Sequence, residues 1–177
     1  MARVAFIEKT GGPEVIQWHD VTLPPPGKGE VWMRNTAVGL NYIDTYHRSG
    51  VYPVDLPSGL GSEAAGVVMA VGEGVTDFAP GDRVGTFGPS RGAYATERNV
   101  PAAQLFKLPD TLDDRTAAAI LLKGTTAEFL VERCAKVQAG QTVLVHAAAG
   151  GVGHILVGWL KAIGATVIAS VGSEDKA

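Results

Sequence analysis

Val143-Leu144-Val145-His146-Ala147-Ala148-Ala149-Gly150-Gly151-Val152-Gly153 decides the fold of this 177-residue chain. The stretch reads as a strand that runs into a glycine turn and opens a helix. Val143, Leu144 and Val145 are β-branched or apolar, as a buried parallel strand requires. The glycines let the backbone turn tightly and approach a ligand with no Cβ in the way. The helix expected from Val152 to Ile163 has its N-terminus at that turn, where free N–H groups and a partial positive charge suit a pyrophosphate. Gly164 stands where a C-cap glycine belongs, and Thr166 to Val171 supplies a second strand. Strand, helix and strand around a glycine turn are the opening unit of a dinucleotide-binding fold. The spacing Ala-x-x-Gly-Gly-x-Gly departs from strict GxGxxG. A tight turn in some other α/β protein is the competing reading, and the flanking strand and helix weigh against it.

The end of the second strand bears on which dinucleotide is bound. An NAD site places an Asp or Glu about 20 residues after the glycine turn to grip the ribose diol. Counting from Gly153 reaches Val171-Gly172-Ser173, with no carboxylate. Gly172 leaves room, Ser173 offers a hydroxyl and Lys176 a positive charge, a set that suits the 2′-phosphate of NADPH. Glu174 and Asp175 are the contrary observation, since either one on a ribose diol makes this an NAD site.

Composition narrows the class. The chain carries a formal net charge of −3 and is 46% hydrophobic, an ordinary globular balance. It has no basic block, which argues against nucleic acid as the main partner. No apolar run is long enough to cross a membrane, and Met1-Ala2-Arg3-Val4 opens no secretory signal. The single cysteine, Cys134, has no partner within the chain, so a reducing cytoplasm is the expected compartment.

Before the glycine turn the chain reads as mainly β. Strand-like runs at Arg3 to Lys9, Val15 to His19, Glu30 to Gly39, Ala64 to Val71 and Arg83 to Thr86 are separated by turns such as Gly11-Gly12-Pro13 and Ala79-Pro80-Gly81-Asp82. Short strands at this spacing suggest a small, partly closed barrel. Asn41 to Ser49 is expected to insert a helical turn or two. Pro109 to Leu122 turns helical behind the acidic pair Asp113-Asp114, and Thr125 to Ala135 continues as helix. A boundary is expected near residue 124. Only one strand–helix–strand follows the glycine turn, where a complete dinucleotide fold needs two βαβαβ halves. The expectation is an N-terminal piece of a longer enzyme, with one apolar sheet face uncovered.

Taken together, these residues resemble the zinc-independent, ζ-crystallin-like NADPH:quinone oxidoreductase branch of the medium-chain dehydrogenase/reductase superfamily. The resemblance runs through Gly11-Gly12-Pro13-Glu14-Val15, Gly39-Leu40-Asn41-Tyr42-Ile43-Asp44-Thr45-Tyr46 and Arg48-Ser49-Gly50-Val51-Tyr52-Pro53. It continues in Gly59-Leu60-Gly61-Ser62-Glu63-Ala64-Ala65-Gly66, Gly92-Ala93-Tyr94, Leu122-Lys123-Gly124-Thr125-Thr126 and the glycine turn. It implies an α/β plus β architecture. By the same resemblance, residues 1–124 are expected to form a GroES-like, partly closed β-barrel catalytic domain, and residues 125–177 to open a Rossmann domain with β-α-β. Members usually assemble as homodimers or homotetramers.

The resemblance also locates the site. Zinc-dependent relatives hold the metal with a Cys, a Gly-His-Glu histidine and a second Cys. Here the first position is Asn41 and the triplet is Gly61-Ser62-Glu63. His19, His47, His146 and His154 show no ligand spacing, so no zinc is expected. A quinone suits a metal-free site, because it accepts a hydride without further polarisation. Asn41 is expected to hydrogen-bond near the nicotinamide or quinone; capping the following helical turn is its structural alternative. Tyr46 and Tyr52 are expected to line the cleft, with Tyr52 the better ring or phenol contact; surface packing is the alternative for each. Asp44 and Arg48 are expected to pair across one helical turn. Glu63 is expected to be a structural acceptor, and Trp18, Trp32 and Trp159 packing groups. Thr126 is expected on the nicotinamide side, and Gly150, Gly151, Val152, Gly172, Ser173 and Lys176 on the rest of the cofactor; Lys123 has a surface alternative.

The expected activity is hydride transfer from NADPH to quinones. Reduction of activated C=C bonds, as in enones, competes within the enzyme class, and a non-catalytic nucleotide-binding or crystallin-like role competes outside it. A zinc alcohol dehydrogenase is opposed by Asn41 and Ser62.

Overall fold

The computed structural model describes residues 1–177. They divide into two units, Met1–Leu121 and Leu122–Ala177. In chain order the first unit holds β1 (Ala2–Ile7), β2 (Gln17–Val21), β3 (Glu30–Gly39), the helix α1 (Tyr42–Ser49), β4 (Ser58–Gly59), β5 (Glu63–Val71), β6 (Arg83–Phe87), β7 (Glu97–Pro101) and β8 (Leu105–Lys107). A three-stranded sheet has the order β2-β1-β4, and a five-stranded sheet the order β7-β3-β5-β6-β8. Every pairing in both is antiparallel.

Alternation builds the larger core. Side chains two apart on a strand share a face, and Val31 and Met33 of β3 are fully buried with Ala64, Val68, Val84 and Val100. Ile7, Val15 and Leu60 form a second cluster under the smaller sheet. The sheets meet where Val4 bridges Ala95 and the Ala5 N–H donates to the Tyr94 carbonyl at 2.8 Å. They form no closed barrel: the two sheets, joined at that corner, make the partly closed arrangement expected from the sequence.

Several expected boundaries shift. The strand expected at Val15 begins at Gln17, because Pro13–Val15 is a short 3₁₀ turn with Pro13 at its start and Val15 buried beneath it. β4, β7 and β8 were not expected at all. β4 has two residues and β8 three, while β7 carries Glu97, Arg98 and Asn99 and ends in proline. None of these shows an apolar alternation.

The helix α2 (Asp114–Glu128) passes without a break into a π-helical turn, Phe129–Ala135. The two helical segments expected around residue 124 are thus one continuous element. Asp113 caps its start: the Thr116 N–H donates to Oδ1 at 2.9 Å and the Thr116 hydroxyl to Oδ2 at 2.6 Å. Those bonds hold the Asp113 carboxyl below its ordinary pKa.

In the second unit, β9 (Thr142–Val145) and β10 (Thr166–Ala169) pair in parallel, with Val143 opposite Val167. The helix α3 (Gly151–Ile163) connects them. It packs Leu156 and Leu160 against Val143, Val145 and Val167 on one sheet face. Leu144 and Ile168, on alternate positions, are each 54% exposed, the uncovered apolar face anticipated from the sequence. Gly164 closes α3 at φ 91°, as expected, with its N–H on the Lys161 carbonyl at 3.0 Å. β10 ends at Ala169 rather than Val171, and His146 lies in the turn after β9, not on the strand.

Candidate functional site

Each unit carries its own candidate site. In the second unit, the turn from His146 to Gly150 brings the chain from β9 to the start of α3. Ala147 takes a left-handed conformation at φ 51°, which costs a residue with a Cβ roughly 1 kcal/mol or more. The Ala148 N–H is held by the Ser170 carbonyl at 3.0 Å, and the Gly150 N–H by the Ala147 carbonyl at 2.8 Å. Intrahelical bonding begins with the His154 N–H on the Gly150 carbonyl at 2.8 Å. The N–H groups of Gly151, Val152 and Gly153 are therefore the unpaired first turn of the helix, and that turn holds no acidic residue.

A cavity of about 260 Å³ opens there, lined by Ala147, Ala149, Gly150, Val171, Gly172 and Lys176. It gathers three of the residues expected at the cofactor, Gly150, Gly172 and Lys176, from two stretches of sequence. Glu174 and Asp175 do not line it. Ser173 is exposed and leads the short 3₁₀ turn Glu174–Lys176, and Val152 is half-buried in the first turn of α3. Gly151, also expected at the cofactor, makes room for a side chain of its own unit. A Cβ on it would come 2.9 Å from Lys123 Cδ, so the missing side chain seats the lysine stem. Gly153 lets the helix start lie on the turn, since a Cβ there would come 2.8 Å from Ala148 Cα. The Thr126 hydroxyl donates back to the Leu122 carbonyl at 2.7 Å, leaving its lone pairs as the means of contact with a ligand.

The site in the first unit gathers around Asn41, which is only 4% exposed. Asn41 is the N-cap of α1, and its side-chain Nδ2 also donates to Glu63 Oε2 at 2.7 Å. Glu63 is fully buried, an acceptor as expected. Asp44 does not pair with Arg48. It turns inward and accepts the Asn41 N–H at 3.0 Å, the Ser62 hydroxyl at 3.1 Å and the Tyr94 hydroxyl at 2.7 Å. Arg48 instead donates to the Gly11 carbonyl at 3.2 Å. Three donors in a buried pocket suit a carboxylate better than one half-buried guanidinium would. Burial, and then the bond to Asp44, push the Tyr94 phenol well above its ordinary pKa, so it stays a donor.

Tyr46 and Tyr52 come together, with ring centroids 5.1 Å apart. Tyr42, which sequence reasoning passed over, joins them edge-on to Tyr46 at 5.2 Å. Tyr42 and Tyr52 are 76% and 48% exposed, so the trio presents aromatic surface. His47 lies 6.2 Å from Tyr52, and its pKa is lowered by burial and by the charge of Arg91. Sequence reasoning also missed Tyr94 as a partner of this corner. Asn41 followed three residues later by an acid is a capping-box pattern, and that signal was available for Asp44. No group of three or more His, Cys, Asp or Glu side chains is arranged to hold a metal ion. No helix is long and apolar enough to cross a membrane.

Residues 27–110 match the alcohol dehydrogenase GroES-like domain. A 2-haloacrylate reductase from a Burkholderia species is 49% identical over 183 residues, covering 100% of this chain and 55% of that protein. A quinone oxidoreductase of Pseudomonas aeruginosa is also 49% identical, with the same shares covered. The crystal structure of Escherichia coli quinone oxidoreductase complexed with NADPH superposes with a TM-score of 0.96 at 44% identity, covering 100% of this chain and 54% of that one. The chain spans about half the length of the curated relatives it matches. The chain is thus similar to quinone oxidoreductases, and joins a domain matched by the GroES-like family to a β-α-β unit of the kind that opens a Rossmann domain.

Proposed function

We propose that the protein carrying this chain is an NADPH-dependent oxidoreductase that reduces quinones without zinc. The observation that carries the reading is the cavity at the start of α3, where Gly150, Gly172 and Lys176 converge and no carboxylate intrudes. The donor set fits the cofactor. Unpaired helix N–H groups take a pyrophosphate, and the Lys176 ammonium pairs with a 2′-phosphate. The E. coli relative solved with NADPH supports the same assignment. When bound, NADPH supplies the hydride.

The chain's own residues position the partners. Asn41 presents its oriented amide dipole near the nicotinamide or the quinone oxygen, where it stabilises developing charge. Tyr46 and Tyr52 present rings against flat substrates. Thr126 contributes a hydroxyl oxygen, and Val152 and Ser173 flank the phosphates. Asn41 and Ser62 stand where the zinc-dependent relatives have metal ligands, which supports a metal-free reaction. The natural assembly we propose is a homodimer or homotetramer.

A second reading has its own support. The Burkholderia relative is named for reduction of 2-haloacrylate, so an activated C=C bond is the alternative acceptor. One assay separates the readings: oxidation of NADPH or NADH by the purified protein, with a simple 1,4-quinone or with 2-chloroacrylate. NADPH-preferring turnover of the quinone is the expected result. Turnover of the acrylate alone reassigns the acceptor, and NADH preference overturns the role of Lys176.

A further inference from the structure

We propose that Asp44 is the positioning residue of Asn41, acting through a buried three-donor cradle that includes Ser62 and Tyr94; the proposal rests on the reading that Asn41 meets the reacting groups. The cradle joins three separate parts of the first unit. Asn41 stands at the start of α1, Ser62 at the start of β5, and Tyr94 in the segment before β7. One carboxylate, 3% exposed, accepts a bond from each.

The arrangement constrains Asn41 at both ends. Asp44 holds its main-chain N–H at 3.0 Å, and Glu63 holds its side-chain amide at 2.7 Å. A short amide fixed at backbone and tip has no rotamer left to explore, which is the condition for a group that orients a substrate. An eight-residue helix does not itself need this. An exposed Asp satisfies a capping box, whereas burying a carboxylate costs several kcal/mol unless its lone pairs are filled.

The fold makes specific provision for the third donor. Gly61 sits at φ 86°, and a Cβ on it would come 2.7 Å from Tyr94 Cε1 and 2.8 Å from Tyr94 N. The missing side chain lets the tyrosine ring lie against the Gly61–Ser62 backbone and bring its hydroxyl 2.7 Å from Asp44 Oδ2. The Tyr94 N–H is fixed by the Leu60 carbonyl at 2.9 Å, so the ring is anchored from the main chain outward. Asp44, Ser62 and Tyr94 therefore act on chemistry only through the orientation of residue 41.

The test is a double-mutant cycle in the protein carrying this chain, read as steady-state NADPH oxidation with 1,4-benzoquinone. Asp44→Ala is expected to lower kcat about tenfold and to leave KM for NADPH within about twofold. In an Asn41→Ala background the same substitution is expected to cost nothing further, because the group it positions is gone. Tyr94→Phe, one oxygen smaller, should follow the same pattern with about a threefold loss. If Asp44→Ala fails to fold, Asp44→Asn and Tyr94→Phe carry the cycle. Equal losses in both backgrounds, or a loss confined to thermal stability, overturn the positioning role. A wild-type protein that does not oxidise NADPH with the quinone overturns the reading beneath it instead, before any variant is made.

Discussion

Two glycines of the same helix should respond to alanine in opposite directions. Gly153 and Gly158 both lie in α3. Alanine in a helix interior gains about 0.8–1.0 kcal/mol over glycine. At Gly158 nothing lies within 4 Å of the added Cβ, so Gly158→Ala should keep most of that gain. At Gly153 the Cβ would come 2.8 Å from Ala148 Cα and 2.9 Å from Ala148 C, with the Ala147 carbonyl oxygen closer still. These are backbone atoms of a turn already fixed by the Ser170 and Ala147 carbonyls, so the helix start must move. Overpacking of this kind costs about 1–3 kcal/mol, which leaves Gly153→Ala about 1 kcal/mol less stable and the pair about 2 kcal/mol apart. For a protein of this size or larger, at about 2–4 °C per kcal/mol, the two melting temperatures should differ by about 5 °C, measured side by side by differential scanning fluorimetry. Movement of the turn also displaces the unpaired N–H groups of α3, so NADPH affinity should fall for Gly153→Ala and hold for Gly158→Ala. A Gly153→Ala protein stabilised like Gly158→Ala, with unchanged NADPH affinity, would refute the close-contact account of the turn.

Lys176→Ala should weaken NADPH binding about tenfold and leave NADH binding unchanged, as titrations of nicotinamide fluorescence would show; equal losses would remove the 2′-phosphate role. Ala147→Val places a β-branched residue at φ 51° and should cost about 2 kcal/mol of stability in urea unfolding. Asp114→Asn should destabilise by about 1 kcal/mol, since it removes the charge facing the Arg83 Nη2 at 2.6 Å and leaves one acceptor oxygen where two now serve Arg83 and Thr36. For Asp114, burial raises the pKa, but the Thr36 and Arg83 bonds outweigh it and bring it below 3.8. The unfolded chain therefore binds the proton first. The contribution is complete above pH 3.8 and disappears as pH falls through the lower folded value, so the variant should show a shallower acid dependence in that window.

The second unit was largely legible because its signals are local. Val143 to Val145, the glycines and Gly164 specify strand, turn and cap within about 20 residues, and each acts through backbone geometry. The alternating apolar residues of β3 and β5 were legible for the same reason. β7 and β8 were not, because they exist through pairing with distant partners: Met33 opposite Arg98, and Gly85 opposite Phe106. Strand identity there is a property of the sheet and not of the segment. Asp44 failed for a related reason. Its spacing from Arg48 allows a helix-surface pair, but the sequence does not show that Ser62 and Tyr94, 18 and 50 positions away, supply donors on the opposite side.

The two sites therefore call for opposite kinds of perturbation. At the start of α3 the proposed ligand groups are main-chain N–H, which no substitution deletes; a side chain acts there by intruding, as at Gly153, or by adding charge, as Lys176 does. At the Asn41 corner the bonds from Asn41 Nδ2, Ser62 and Tyr94 to the two carboxylates are made by side chains, so function is removed by truncation and restored by the conservative variant. A loss of turnover that follows added volume at the first site and lost hydrogen bonds at the second would tie both to one reaction. If truncating Asn41, Asp44 and Tyr94 left turnover unchanged while Gly153→Ala abolished it, the chain would bind the nucleotide as proposed and the chemistry would depend on residues outside these 177.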